Sequence, residues 1–130
     1  MPLTLKQMID VASAEVPRLE RSAVEARVAE GALLLDVRDA PELVANGKVP
    51  GAHHVSRGML EFRADPASPF HDPELRADRP VILYCAAGGR AALAGKMLKD
   101  MGFQEVYTLG GLKDWVEAGG AVEREFDKGM

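Results

Sequence analysis

Between Val81 and Met101 the chain reads as a buried strand, a glycine-rich turn and a helix, and no other stretch limits the fold so narrowly. Val81-Ile82-Leu83-Tyr84 follows Pro80 and is unbroken in its apolar character, as strands covered on both faces are. Cys85-Ala86-Ala87-Gly88-Gly89-Arg90 then turns into an alanine-rich helix that Gly102 closes. The same alternation runs through the rest of the chain. Strands are expected at Ala32-Leu33-Leu34-Leu35, around Ala52 to Val55, and at Val106-Tyr107-Thr108-Leu109. Between them stand helix signals. Thr4-Leu5-Lys6-Gln7 is a capping box opening a helix to about Ala14, with Leu5, Met8, Ile9 and Ala12 on one face, and Pro17 stops it. Ser22-Ala23-Val24-Glu25 is a second box, ending at Gly31. Pro41 to Asn46 makes a short helix closed by Gly47, and a last helix runs from Gly110-Gly111 through Trp115 to Ala118. Strand and helix in turn predict an α/β fold. Its core is a small parallel sheet of about five strands, one of them near Val16, with helices on both faces.

A chain of 130 residues holds one core, so a single domain over 1–130 is expected. Lys and Arg number 16 against 20 Asp and Glu, a net charge of −4 with no basic block, which disfavours nucleic-acid binding. The longest apolar run, Val81 to Ala87, is too short to span a membrane, and the N-terminus lacks the order of a secretory signal; a cytoplasmic location is expected. Cys85 is the single cysteine, so neither an internal disulfide nor a Cys-rich metal site can form within the chain. Adjacent His53 and His54 would point to opposite faces of a strand and His71 sits in the proline-rich stretch 65–79, so no metal site is read there. Leu112, Trp115 and Val116 are assigned to the core.

In an open parallel sheet functional groups gather beyond the carboxyl ends of the strands, where Cys85 falls. The loop after it carries only small side chains, so the amides of Ala86, Ala87, Gly88, Gly89 and Arg90 can turn inward around an anion, reinforced by the start of the next helix. If that anion is the Cys85 thiolate, the thiol becomes a nucleophile at neutral pH. The alternative is a small hydrophobe buried at a strand end. Arg90 either strengthens the field or reaches a nearby carboxylate. Arg38 and Glu42 are expected to form an ion pair pinning the loop after the Leu33-Leu34-Leu35 strand. Arg57, and less so Arg63, would attract an anionic substrate if their segment folds over the Cys85 loop.

Three separated segments resemble the rhodanese-like family of single-domain sulfurtransferases. They are Leu35-Asp36-Val37-Arg38 with Glu42 and Gly47-Lys48-Val49-Pro50-Gly51-Ala52; Leu83 to Arg90, in the pattern C-x-x-G-x-R; and Leu109-Gly110-Gly111-Leu112 with Trp115 and Ala118-Gly119. The match covers about residues 31–122, leaving residues 1–30 as a helical extension. Arg57 to Phe62 is similar to a segment in part of that family. The resemblance implies the rhodanese fold and a transfer of sulfane sulfur through a Cys85 persulfide, from a small-molecule donor such as thiosulfate to a thiophilic small molecule or a thiol protein, with no metal or organic cofactor. Two departures are visible. Lys48 stands where histidine is common, and Ala86 and Ala87 give the loop no basic side chain, which bears on donor preference. A partner-specific sulfur carrier or binding module of the same fold is the alternative. A cysteine-dependent phosphatase ranks below it, because that class places its arginine six positions after the cysteine and Arg90 stands five after Cys85.

Overall fold

The computed structural model describes residues 2–124; Met1 and positions 125–130 of the expected domain lie outside the described residues. Helices α1 (Leu5–Glu15) and α2 (Arg21–Ala29) precede strand β1 (Leu33–Asp36). Helix α3 (Ala40–Asn46), strand β2 (His53–His54), helix α4 (Leu60–Ala64) and strand β3 (Val81–Cys85) follow. Helix α5 (Gly89–Asp100), strand β4 (Val106–Gly111) and helix α6 (Leu112–Glu117) complete the order. The strands form one sheet in the order β2-β1-β3-β4, every pairing parallel. β1 and β3 occupy the centre and are buried along their whole length, which is why their sequences are continuously apolar.

The architecture is the expected α/β one, with four described strands in place of about five. The segment near Val16 does not become a strand. Val16 is the C-cap of α1, and the chain touches the outer edge of β4 through one bridge between Arg18 and Thr108. Pro17 has no N–H to offer a ladder, so the pairing is confined to the Pro17 carbonyl and the Leu19 amide, both bonded to Thr108.

Alternation along the strands splits the interior in two. Leu33, Leu35, Val81, Leu83 and Cys85 point into a core shared with Leu60 of α4 and Ala91, Ala94 and Leu98 of α5. Leu34, Ile82, Tyr84 and Leu109 point the other way, against Val24 of α2 and Leu112 and Trp115 of α6. α1 lies along α5 in the same direction. Ile9 sits against Gly89 and Val16 against Gly95, where an added Cβ would come within 3.0 Å of both Val16 methyl groups.

Local readings differ from the structure in four places. The Thr4 capping box forms, but Leu5 (64% exposed) and Met8 (45% exposed) face solvent, because α1 docks on a helix and only Ile9 and Ala12 fit its narrow contact stripe. α2 opens at Arg21, two residues earlier than the Ser22 box requires, with Glu20 as its N-cap and no capping side chain. Val116 is 51% exposed and does not belong to the core, whereas Leu112 and Trp115 do. Arg57–Met59 forms a 3-10 turn leading into α4, which buries Leu60 and Ala64; five residues carry too little periodicity to announce a helix.

Candidate active site

Cys85 ends β3 at the carboxyl edge of the sheet and is 1% exposed. Its burial has a polar side. The Sγ accepts a hydrogen bond from the Gly88 amide at 3.0 Å and a longer one from the Ala91 amide at 3.4 Å. Gly88 makes the first possible by adopting φ +117°, a left-handed conformation that turns the chain back over the sulfur and starts α5. Two amides and the positive end of a twelve-residue helix therefore converge on one sulfur atom.

The loop rests on β4. A bulge moves the pairing from Leu83 opposite Thr108 to Tyr84 opposite Gly110, which sets Gly111 directly opposite Cys85. Gly111 lies so close beneath the loop that a Cβ there would stand 2.6 Å from the Ala86 carbonyl carbon and 2.7 Å from the Ala87 Cα. The Gly111 amide donates to Asp114 Oδ2 at 2.9 Å, and this bond is the chief cause holding the Asp114 carboxyl below its usual range. Arg18 pairs with the same carboxylate at 3.2 Å.

Arg90 turns outward from the sulfur into a two-point pair with Glu42 on α3, both contacts at 2.8 Å. Glu42 Oε2 also accepts the Asp39 amide at 2.9 Å. The Arg90 guanidinium is the main cause that lowers the Glu42 carboxyl to about 2, with the Asp39 amide helping and burial opposing. Glu42 in turn keeps Arg90 still more firmly cationic, with a smaller contribution from Cys85.

The expected pair of Arg38 with Glu42 does not form. Arg38 is 1% exposed and binds Asp36 through Nε (3.0 Å) and Nη2 (2.7 Å), its Nη2 also reaching the Gly47 carbonyl at 2.8 Å. The reason is topological: Asp36 ends β1 beside Arg38 with no solvent to neutralise it, while Glu42 points to the loop beyond β3. Tyr84, before the cysteine, points to the opposite core and accepts the Val49 amide at 3.1 Å; burial is the main cause pushing its phenol up.

The structure brings Cys85, Gly88 and Arg90 together with Glu42, and places Ala86 and Ala87 on the exposed rim of the loop. Arg57 reaches the same edge of the sheet, since its amide donates to Val37 and the Val37 amide donates to Tyr84. Its guanidinium is engaged by Glu61 at 2.9 Å. Sequence reasoning missed Ala91, one residue past the expected loop, and Gly111. A helix whose first turn offers its amides to a preceding side chain is a local signal that could have found the former. The bulge that delivers Gly111 has its local signal in Gly110, whose φ of +91° favours glycine.

A family model described as Rhodanese-like domain matches residues 20–118. Thiosulfate sulfurtransferase GlpE of Stutzerimonas stutzeri is 34% identical over 86 residues, covering 65% of this chain and 71% of that protein. Among solved structures, a Rhodopseudomonas palustris CGA009 protein of unknown function, described as a possible tyrosine phosphatase, superposes with TM-score 0.84 at 38% identity, covering 95% of this chain and 99% of the other. The polysulfide-sulfur transferase homodimer of Wolinella succinogenes gives TM-score 0.73 at 33% identity, with 92% and 87% covered. Two curated relatives from Bacillus subtilis (strain 168) are longer, and the chain spans 60% and 52% of their lengths.

Proposed function

This chain belongs to the rhodanese-like domain family, and from that premise we propose that it is a sulfurtransferase with Cys85 as its nucleophile. One observation carries the reading: the Cys85 sulfur, at the end of a central strand, accepts two main-chain N–H bonds. Such donors stabilise the charge that the Cys85 sulfur carries as it attacks a donor and as it leaves an acceptor. The Cys85 thiolate attacks the outer sulfur of thiosulfate, the S–S bond of the donor breaks, and sulfite leaves with its electron pair. A nucleophilic acceptor then attacks the terminal persulfide sulfur, and the Cys85 thiolate is the leaving group. No electron acceptor is needed in either step.

The names of the Stutzerimonas and Wolinella proteins support transfer of sulfane sulfur while pointing to different donors, thiosulfate and polysulfide. Phosphoryl transfer, suggested for the Rhodopseudomonas protein, fits these side chains less well. The arginine a phosphoryl group would need is held at two points by Glu42. In this proposal residues 1–130 act as one domain, and neither step calls on a metal or organic cofactor. Among the described residues no helix is long and apolar enough to cross a membrane.

Incubation with thiosulfate should raise the intact mass by one sulfur atom, reversibly with cyanide, and leave Cys85→Ser unchanged. An unmodified wild-type mass with both thiosulfate and polysulfide refutes the proposal. Phosphate released from an aryl phosphate, together with no sulfur uptake, would favour the phosphatase instead.

A further inference from the structure

Beside the loop, between α3 and α6, lies a cavity of about 470 Å³. Ala86 forms part of its wall, which makes it continuous with the rim under which Cys85 sits. Its size falls in the range of about 300–1,000 Å³ typical of organic ligands and exceeds what a small inorganic oxyanion needs. Leu112 and Val116 supply an apolar side, and Val116 is half exposed because it faces this space and not the core. Arg38 also borders the cavity, but Asp36 already matches its charge.

The field within the cavity is set by two other side chains. Lys113 lines it and forms no ion pair or hydrogen bond among the described residues; its neighbour Asp114 is turned to Gly111 and Arg18. Glu117 lines it too, one helical turn farther along α6 from the point where Gly111 meets Ala86. The cations expected to draw an anion to the loop are otherwise occupied, Arg90 by Glu42 and Arg57 by Glu61. Lys113 is thus the cation at the end of the cavity nearest the reactive loop, with Glu117 one turn away at the far end.

We propose that this cavity is the acceptor site and that Lys113 determines its specificity, selecting organic thiols that carry a negative charge on a short apolar stem. The inference rests on the sulfurtransferase reading. The acceptor thiolate attacks the terminal sulfur of the Cys85 persulfide, a new S–S bond forms on the acceptor, the Cys85–S bond breaks and Cys85 leaves as thiolate. Leu112 packs the short stem, and Lys113, at the same loop end of the cavity, meets its anion.

Protein loaded to completion with thiosulfate, then freed of donor, is discharged in single turnovers by 3-mercaptopropanoate, 2-mercaptoethanol or cysteamine. Comparing each variant with wild type for the same thiol cancels the thiols' different intrinsic reactivities. In Lys113→Met the half-saturating concentration of 3-mercaptopropanoate should rise roughly three- to tenfold with its maximal rate unchanged, 2-mercaptoethanol should be unaffected and cysteamine should bind no worse. Lys113→Glu should exaggerate this pattern, and high salt should erase it. An equal effect on all three thiols, or none on the anionic one, overturns the proposal. Failure of the wild-type protein to load from either thiosulfate or polysulfide appears before any acceptor is added; it refutes the sulfurtransferase reading and this inference with it.

Discussion

Replacing Gly111 by alanine perturbs the sulfur loop without touching Cys85. The new methyl carbon would collide first with the Ala86 carbonyl oxygen and stand 2.6 Å from its carbon, and these neighbours are main chain, which cannot swing aside as a side chain does. Bringing the Ala86 oxygen to an ordinary contact of 3.4 Å requires Ala86 and Ala87 to retreat by about 1.2 Å. Gly88 follows in the chain, and the same displacement carries its amide from 3.0 Å to beyond about 4 Å from the Cys85 sulfur, past the limit of a hydrogen bond to sulfur. The Ala91 donor belongs to α5 and stays. Losing one of two donors, with the loop out of place by about an ångström, should slow sulfur loading by about 10²-fold. The overpacking itself should cost about 1–3 kcal/mol, leaving the domain folded. A time course of the intact mass with thiosulfate, beside a urea melt, measures both quantities. A folded Gly111→Ala protein that loads as fast as wild type refutes the reasoning, and with it the claim that the loop is set by its support on β4.

The Glu42 carboxyl ionises well below its ordinary 4.5, at about 2, so its pairing with Arg90 contributes stability that is complete above 4.5 and is lost as pH falls from there toward about 2. Glu42→Gln should flatten that part of the stability profile, as thermal melts across the interval would show; an identical acid limb in both proteins contradicts the assignment. Tyr84→Phe removes the acceptor of the buried Val49 amide and should destabilise the domain by about 1–3 kcal/mol in urea melts, with little change in sulfur loading. Unchanged stability would mean that the amide finds water.

Much of this molecule is legible in linear order because its information is local. The unbroken apolar runs at Leu33 to Leu35 and Val81 to Tyr84 require burial on both faces, and that alone implies a parallel sheet between helices. Thr4 caps the first helix and Gly47 closes the third with a left-handed φ, as their positions in the chain suggest. Local rules failed where a partner lay elsewhere. Leu5 and Met8 continue an amphipathic pattern, yet α5 leaves them no room. Arg38 takes Asp36, two residues away, because both are buried at the end of β1, and Glu42 is left to Arg90.

The strand, the lone thiol and the glycine turn follow from the order of residues, since φ preferences and apolar runs act over a few positions. The choice of which amides meet the sulfur, Gly88 and Ala91, belongs to the tertiary structure. So do the closure of Arg90 by Glu42 and the seating of the loop on Gly111. Each depends on where the ends of β1, β3 and β4 come to lie side by side, and hydrogen bonds and van der Waals contacts act over a few ångströms whatever the separation along the chain.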